Sequence, residues 1–281
     1  MPTKLVVALV LSAASVLACA QGAPANQAEA QRIFKELRWL PPGSSGSLVG
    51  KATFKASERY TFLSPEDTDK FLKLNGNPPQ GESVTIAPVK GDWFGVLSFA
   101  AEGYVKDTET IDADALLKQL KESNIAGNER KRQQGFQTLN LEGWALAPRY
   151  DREARRLEWG TLLRTEENQP VVNVSTRFLG RTGYTSAILV TTPQTLDTDL
   201  ADFKVALKDF DYVSGEKYSE WREGDKVAAY GLGALVLGGA AAAVSSKGGI
   251  KLVGVAILGA LAALWAGIKR LVSRKNSQTP K

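Results

Sequence analysis

The stretch from residue 141 to residue 192 reads LEGWALAPRY DREARRLEWG TLLRTEENQP VVNVSTRFLG RTGYTSAILV TT. Four segments within it alternate apolar and polar residues, as half-buried β-strands do. Short polar turns separate these segments at residues 151–155, 166–169 and 180–183. Connections this short join antiparallel neighbours, because a parallel pair needs a long crossover. The stretch therefore predicts a four-stranded antiparallel meander.

The first two strands carry specific expectations about their faces. In the first strand Leu141 and Trp144 fall on opposite faces, and Pro148 is expected to mark its end because proline cannot donate to a ladder. In the second strand, alternation predicts that Trp159 is buried and that Glu158 faces solvent. The pattern therefore predicts a sheet with one buried and one more polar side in this region.

The third and fourth strands are expected to meet at a tight hairpin from Gly180 to Gly183, whose glycines accept positive φ. The fourth strand, from Tyr184 to Thr191, is nearly all apolar or β-branched, which predicts a buried strand. After it, apolar residues at spacings of four and three from Leu196 to Phe210 predict a helix that packs on the sheet.

The segments before the meander predict further helices and strands that complete an α+β fold. Asn26 is placed to cap a first helix, and Ser64-Pro65-Glu66-Asp67 is a strong helix start. The expected elements are a helix over 26–40, strands over 48–54 and 58–63, a helix from Ser64, a hairpin of 84–89 with 93–100, and a helix from Asp112. The last helix is expected to pass into an exposed segment at 127–135 with no core contact.

Residue usage excludes several classes of chemistry. The chain of 281 residues contains no histidine, and its single cysteine is Cys19. This excludes Ser-His-Asp and Cys-His catalysis, and a disulfide within the chain. It also removes the usual ligand sets of zinc and haem, so no metal or other cofactor is predicted.

The distribution of charge argues against nucleic acid as a partner. The net charge is +5, but the chain after Asp225 carries eight Lys and Arg residues and no acid. With Lys4 of the N-terminal segment also set aside, residues 21–225 have a net charge of about −4. Binding along a phosphate backbone needs a basic face, which a mildly acidic domain does not favour.

Both ends of the chain predict association with a membrane. Residues 1–20 have a charge at Lys4, an apolar run and the small residues Ala18 and Ala20, which is typical of a secretory signal peptide. Cys19 also lies in a loose lipobox, in which it would be acylated. Residues 21–225 are then expected to form one domain on the outer, periplasmic side of the bacterial inner membrane.

Residues 226–268 are expected to form the membrane anchor, with helices at about 227–244 and 252–268, followed by a basic tail at 269–281. The two helices would pack through small residues: Ala234, Gly238 and Ala242 on the first, and Gly259, Ala263 and Gly267 on the second. The positive charges of the tail favour a single span at 252–268 instead, because they would then lie in the cytoplasm. Two spans are the favoured topology and one span is the alternative.

Two groups of charged residues are candidate sites. Glu142, Asp151 and Glu158 could supply a carboxylate pair of the glycosidase type, although their spacing alone brings no two together. Arginines around the turns could bind a lipid headgroup or polyanion, but such residues are more often solvated or paired with acids. These are Arg149, Arg152, Arg155 and Arg156 near the first turn, and Arg177 and Arg181 near the third.

A series of motifs resembles the bacterial family of predicted membrane-anchored proteins known as domain of unknown function 2167. The motif positions are Trp144, Pro148, Tyr150, Asp151, Leu157, Trp159, Asn173, Arg177, Gly180, Arg181, Gly183, Gly215, Tyr218, Asp225, Lys226, Tyr230 and Gly231. The resemblance covers most of the chain after the signal. It implies a membrane-anchored architecture, and it brings no catalytic residues, because the family has no established activity.

Three functions follow as expectations. The first is a non-catalytic envelope domain that interacts with membrane lipids, with an envelope protein or with itself. The second is a carboxylate-based hydrolase of envelope glycan. The third is a lipid or small-molecule binding module, which requires an apolar pocket between sheet and helix.

Overall fold

The structure, a computed structural model, describes residues 27–75, 77, 79–133 and 137–239. The helices are α1 (Gln27–Glu36), α2 (Pro65–Leu74), α3 (Ala113–Gln133), α4 (Leu196–Ala206) and α5 (Leu232–Leu237), with a 3₁₀ turn at Tyr218–Glu220. The strands are β1 (Trp39–Leu40), β2 (Ser45–Leu48), β3 (Ala52–Lys55), β4 (Tyr60–Leu63), β5 (Val84–Pro88), β6 (Phe94–Ala100), β7 (Leu139–Asp151), β8 (Arg156–Thr165), β9 (Pro170–Leu179), β10 (Tyr184–Thr191) and β11 (Asp211–Tyr212).

Eight strands form one antiparallel sheet in the order β1-β4-β5-β6-β10-β9-β8-β7. The predicted meander is confirmed as β7 to β10, and the predicted hairpin is confirmed as β5 and β6. Three further strands form a second, separately hydrogen-bonded sheet in the order β11-β3-β2. The predicted strand over 48–54 is wrong, because a turn at Val49-Gly50 divides it into parts of β2 and β3. The fold is α+β, as predicted.

One face of the large sheet, here called the α4 face, carries Val174 and Leu189. It packs against α4 and the small sheet in a cluster that includes Phe203 of α4 and Phe54 of β3. Phe203 is 1 % exposed, and burying a side chain of this size contributes about 2 kcal/mol. The helix predicted from the Leu196 stripe therefore packs on the sheet as expected.

The opposite face, here called the α3 face, is covered by two separate apolar clusters. At one end α1 and α2 pack on the sheet, with Phe71 against Phe94 at a ring separation of 5.0 Å. At the other end α3 and α5 pack around Trp159. Because the clusters occupy different ends, the middle of the α3 face is covered by neither one alone.

Strand β7 forms one edge of the sheet, and β-bulges interrupt its alternation. The register shifts between Leu141 and Gly143, so Leu141 and Trp144 both pack on the α3 and α5 cluster, instead of on opposite faces as predicted. A further shift spans Pro148, and the strand continues to Asp151. The prediction that Pro148 ends the strand is therefore wrong, because an edge strand tolerates proline at a bulge.

Helix α3 extends through most of the segment that was expected to be exposed. Asn124 and Asn128 are buried and bond to the free edge of β7. Asn128 Nδ2 donates to Leu139 O (2.8 Å) and its Oδ1 accepts from Leu139 N (3.2 Å), while Asn124 Oδ1 accepts from Leu141 N (3.0 Å). Asparagines one helical turn apart thus satisfy backbone groups two residues apart on the strand.

The hairpin between β9 and β10 forms where predicted, but for a different reason. Neither Gly180 nor Gly183 has positive φ. A Cβ atom at Gly183 would lie 2.0 Å from Ala100 O, and one at Gly180 would lie 2.8 Å from the Tyr212 ring. Glycine is required here because backbone and ring approach too closely for a side chain.

The segment after Asp225 follows the domain surface before it reaches α5. Val227 pairs with Tyr104 in an isolated bridge, and α5 spans only Leu232–Leu237 before Gly238 adopts a left-handed conformation. A continuous helix from 227 is therefore wrong for the described part of that segment. No helix among the described residues is long and apolar enough to cross a membrane. The signal peptide at 1–20, Asn26, the span at 252–268 and the tail at 269–281 lie outside the described residues.

Candidate functional site

Small polar side chains occupy the middle of the α3 face. The register places Ser186 opposite both Arg177 of β9 and Ser98 of β6. In the neighbouring rows, Ser175 lies opposite Trp159, and Asn173 lies opposite Thr161. Serine and threonine are short, so these rows leave space where larger apolar residues would fill the core.

That space forms a pocket of about 210 Å³. Leu163 and Ile188 line it from the α1 and α2 cluster, while Leu120 of α3 and Val236 of α5 line it from the other cluster. The pocket therefore lies at the junction of the two clusters. Its sheet side carries polar side chains together with Leu163 and Ile188, and its helix side carries Leu120 and Val236. Concave sites of mixed character are typical of small-molecule binding sites.

Arg177 is the charged group of this pocket. Its guanidinium lies over two aromatic rings, with Cζ 4.9 Å from the Trp159 centroid and 5.7 Å from the Tyr184 centroid. Nη1 donates to Ser186 Oγ at 2.7 Å. Burial lowers the pKa of Arg177, but the ordinary value of arginine is so high that the group stays cationic at neutral pH. The pocket thus contains a fixed positive charge.

Helix α5 closes one side of the pocket and is held by two carboxylates. Glu109 accepts a hydrogen bond from Gly233 N at 2.7 Å, and a Cβ atom at Gly231 would lie 2.5 Å from the same carboxylate. Upstream, Arg181 donates to Asp225 from Nε at 2.7 Å and from Nη2 at 2.8 Å. The hydrogen bonds from Arg181 lower the pKa of Asp225 to about 2. These contacts fix the segment that carries α5 to the domain.

A second cluster of titratable groups lies near the first meander turn. Asp107 accepts from Tyr150 Oη at 2.8 Å and forms an ion pair with Arg155. Although burial opposes it, these contacts hold the pKa of Asp107 below its usual range. Arg155 also lies 5.1 Å from the centroid of Tyr218, whose hydroxyl donates to Val105 O. Each of these groups is partnered within the fold, which indicates a structural role.

The acids considered for glycosidase chemistry are bound to other elements. Glu142 pairs with Arg164, and Glu158 pairs with Lys204 of α4 at 3.0 Å. The side chain of Glu158 is only 13 % exposed, so the prediction that it faces solvent is wrong, while Trp159 is buried as predicted. Asp151 accepts from two backbone amides of its own turn.

The motif positions divide between the pocket and its surroundings. Trp159, Asn173 and Arg177 line the pocket. Other motif positions support the fold nearby. Leu157 is buried in the α3 and α5 cluster, and Tyr230 packs against that cluster. Hydrogen bonds are made by Trp144 to Ala113 O, by Arg181 to the carbonyl of Gly215, and by Tyr104 N to the carbonyl of Lys226. Ala234 and Gly238 lie in and after α5, whereas Ala242, Gly259, Ala263 and Gly267 lie outside the described residues.

Sequence reasoning missed most of the pocket. Ser98, Ser175, Ser186 and Thr161 come from four strands, and only the register brings them together. The one available signal was the pair of small polar residues at alternate positions of β9, Asn173 and Ser175. Within the described residues, no group of three or more potential ligand side chains is placed to hold a metal ion.

The chain belongs to the family described as protein of unknown function DUF2167, whose model matches residues 43–269. This match confirms the resemblance that the motifs gave. No curated protein matches the chain.

Two solved structures are similar to this chain at low TM-scores. One is the solution structure of cyanobacterial PsbP (CyanoP) from Synechocystis, with 13 % identity and a TM-score of 0.33, covering 63 % of this chain and 92 % of that one. The other is the crystal structure of the Saccharomyces cerevisiae Ran-binding protein Mog1p, with 8 % identity and a TM-score of 0.31, covering 65 % of this chain and 100 % of that one. At these TM-scores neither likeness supports a statement about function.

Proposed function

We propose that this chain is a non-catalytic domain of the bacterial cell envelope that binds a small molecule in the pocket on the α3 face. The observation that carries the proposal is the pocket itself, where Arg177 and several hydroxyl groups converge opposite apolar side chains of α3 and α5. A packed core at this place would have removed the binding hypothesis.

The binding proposal is tested by analysing what the full chain carries when it is purified from bacterial membranes. Small molecules released on denaturation are identified by mass spectrometry for the wild type and for Ser175→Leu, which fills the pocket. Ser47→Leu is the matched control, because Ser47 is exposed on β2. The proposal predicts a ligand that is present in the wild type and the control and depleted in Ser175→Leu. Identical contents in all three would contradict it, provided that Ser175→Leu retains a folded melting transition.

The location at the outer face of the inner membrane is part of the proposal. It is supported by the signal-like residues 1–20 and the apolar residues 252–268. In a Cys19→Ala background, Ser47→Cys is expected to react with an impermeant maleimide in intact spheroplasts. Labelling only after lysis would refute this location. Ser277→Cys then tests the number of spans. Labelling in intact spheroplasts would support two spans, and labelling only after lysis would support one span.

We further propose that the domain contacts membrane lipids or another envelope protein. The exposed Trp221 (41 %), close to the start of the proposed anchor, supports contact near the membrane. Crosslinking in intact cells followed by mass spectrometry tests the protein partner, and recovery no greater than that of a tag-only control would refute it.

A further inference from the structure

Arg177 makes no direct ion pair among the described residues, although the carboxylate of Glu102 acts on its charge. None of the ion pairs among the described residues includes Arg177. Tyr184, which also hydrogen-bonds to it, and Glu102 raise the pKa of Arg177 against the effect of burial. By contrast, Arg181 on the adjoining hairpin has a carboxylate held by two hydrogen bonds. Burial of a guanidinium that lacks a direct carboxylate partner is costly unless other groups compensate its charge.

The hydrogen bonding of the guanidinium is also incomplete. Its Nε is buried and has no acceptor among the described residues. Nη1 bonds to Ser186 Oγ at 2.7 Å and reaches Thr176 O at 3.4 Å. Guanidinium groups carry five donors and favour planar oxyanions such as carboxylates. Because Cζ of Arg177 lies over the rings of Trp159 and Tyr184, a ligand would bind through the N–H groups of the guanidinium.

Neighbouring hydroxyl groups are suited to the same ligand. Ser186 Oγ accepts a bond from Arg177, so its own hydrogen remains available for donation to another acceptor. Ser98 lies opposite Ser186 in the register, and Ser175 lies in the next row. These hydroxyls, together with one cation, provide the donors that a singly charged oxyanion requires.

The size and apolar side of the pocket limit the rest of the ligand. Its volume of about 210 Å³ falls below the range of roughly 300–1,000 Å³ typical of drug-sized ligands. Leu120 of α3 and Val236 of α5 line the pocket from the helices, while Leu163 and Ile188 line it from the sheet, beside the hydroxyls. A short hydrocarbon body would pack against these four side chains.

On the basis of the proposed binding function, we infer that the ligand is a small monocarboxylate, with its carboxylate at Arg177 and its short hydrocarbon body between α3 and α5. A single guanidinium matches a single negative charge. The apolar side chains that line the pocket favour such a ligand over inorganic phosphate or a sugar, which have no hydrocarbon part to pack against them.

Isothermal titration of the full chain in lipid nanodiscs with hexanoate, hexanamide and inorganic phosphate tests the inference. Empty nanodiscs correct for partition of hexanoate into lipid. Hexanoate is expected to bind at least tenfold more tightly than hexanamide, because only the carboxylate forms charge-assisted hydrogen bonds with Arg177. Equal binding of hexanoate and hexanamide, preference for phosphate, or no binding of hexanoate would overturn the inference.

Variants locate the site of the carboxylate. Arg177→Met is expected to weaken hexanoate binding at least tenfold. Arg177→Lys is expected to weaken it less, because lysine keeps the positive charge but lacks the planar set of guanidinium donors. Arg156→Met is the matched control, since Arg156 lies on the adjacent strand outside the pocket. Ser186→Ala provides an independent test if Arg177→Met does not fold, with a loss of about fivefold expected. Unchanged affinity in the folded pocket variants would overturn the inference.

The two proposals fail in different ways. If extraction yields a neutral molecule that Ser175→Leu depletes, the binding function stands and the carboxylate inference fails. If extraction yields no pocket-dependent molecule and hexanoate does not bind, both fail.

Discussion

The attachment of α3 to the edge of β7 provides the sharpest prediction about stability. Asn128→Ala removes the acceptor of Leu139 N and one of two donors to Leu139 O, while Asn124 still donates to that carbonyl at 2.9 Å. An unsatisfied buried amide costs about 1–3 kcal/mol, and the better helix propensity of alanine offsets roughly 0.5 kcal/mol. We therefore expect a loss of about 2 kcal/mol in the free energy of unfolding.

The double variant Asn124→Ala/Asn128→Ala also leaves Leu139 O and Leu141 N without their asparagine partners. Its free energy of unfolding is therefore expected to fall by about 5 kcal/mol. For a domain of this size, 1 kcal/mol lowers the melting temperature by about 2–4 °C. Thermal unfolding of the full chain is thus expected to shift by about 4–8 °C for the single variant and about 10–20 °C for the double variant.

Asn140→Ala is the matched control, because Asn140 is exposed and makes only a 3.3 Å contact with Asn128. A change below about 0.5 kcal/mol is expected for it. Hydrogen exchange at the Leu139 and Leu141 amides gives a local readout, with faster exchange in the double variant. If Asn128→Ala melts within 1 °C of the wild type, the asparagines do not support the edge as described.

Two further predictions concern the β9–β10 hairpin and the segment that leads to α5. Gly183→Ala should cost about 2 kcal/mol in a melting experiment, because its Cβ atom would meet Ala100 O at 2.0 Å; Gly143→Ala, with open space around it, should melt like the wild type. Because the folded pKa of Asp225 is depressed to about 2, the Arg181 pair stabilises the fold above the unfolded pKa near 4, and this contribution is lost as the pH falls toward 2. Melting temperatures measured from pH 5 to pH 2 should therefore fall less steeply for Asp225→Asn than for the wild type. An equal fall in the melting temperatures of the two proteins would contradict a stabilising ion pair between Arg181 and Asp225.

The meander could be predicted because its information is local. Each strand carries its own alternation, and each loop is too short for a parallel crossover. The bulges of β7 could not be predicted, since Leu141 and Trp144 change their relative faces only through the register with β8. The full length of α3 could not be predicted from an apolar stripe, because its second half contacts the sheet through Asn124 and Asn128.

The pocket depends on information that is not local in the chain. Ser98 and Ser175 are far apart in sequence, and strand order alone places β6 and β9 on either side of β10. Ser186 lies within a strand rich in apolar and β-branched residues, which concealed a polar position on the α3 face. The sequence places Arg177 in the family motif and among the arginines near the turns, but nothing in its spacing indicates that its guanidinium lies over the rings of Trp159 and Tyr184.

A high-resolution crystal structure of the full chain purified from bacterial membranes tests the central claim most directly. The account predicts electron density for a bound carboxylate within hydrogen-bond distance of Arg177 and Ser186, with its hydrocarbon part toward Leu120 and Val236. Density for ordered water alone in that space would contradict it, as would side chains that close the pocket.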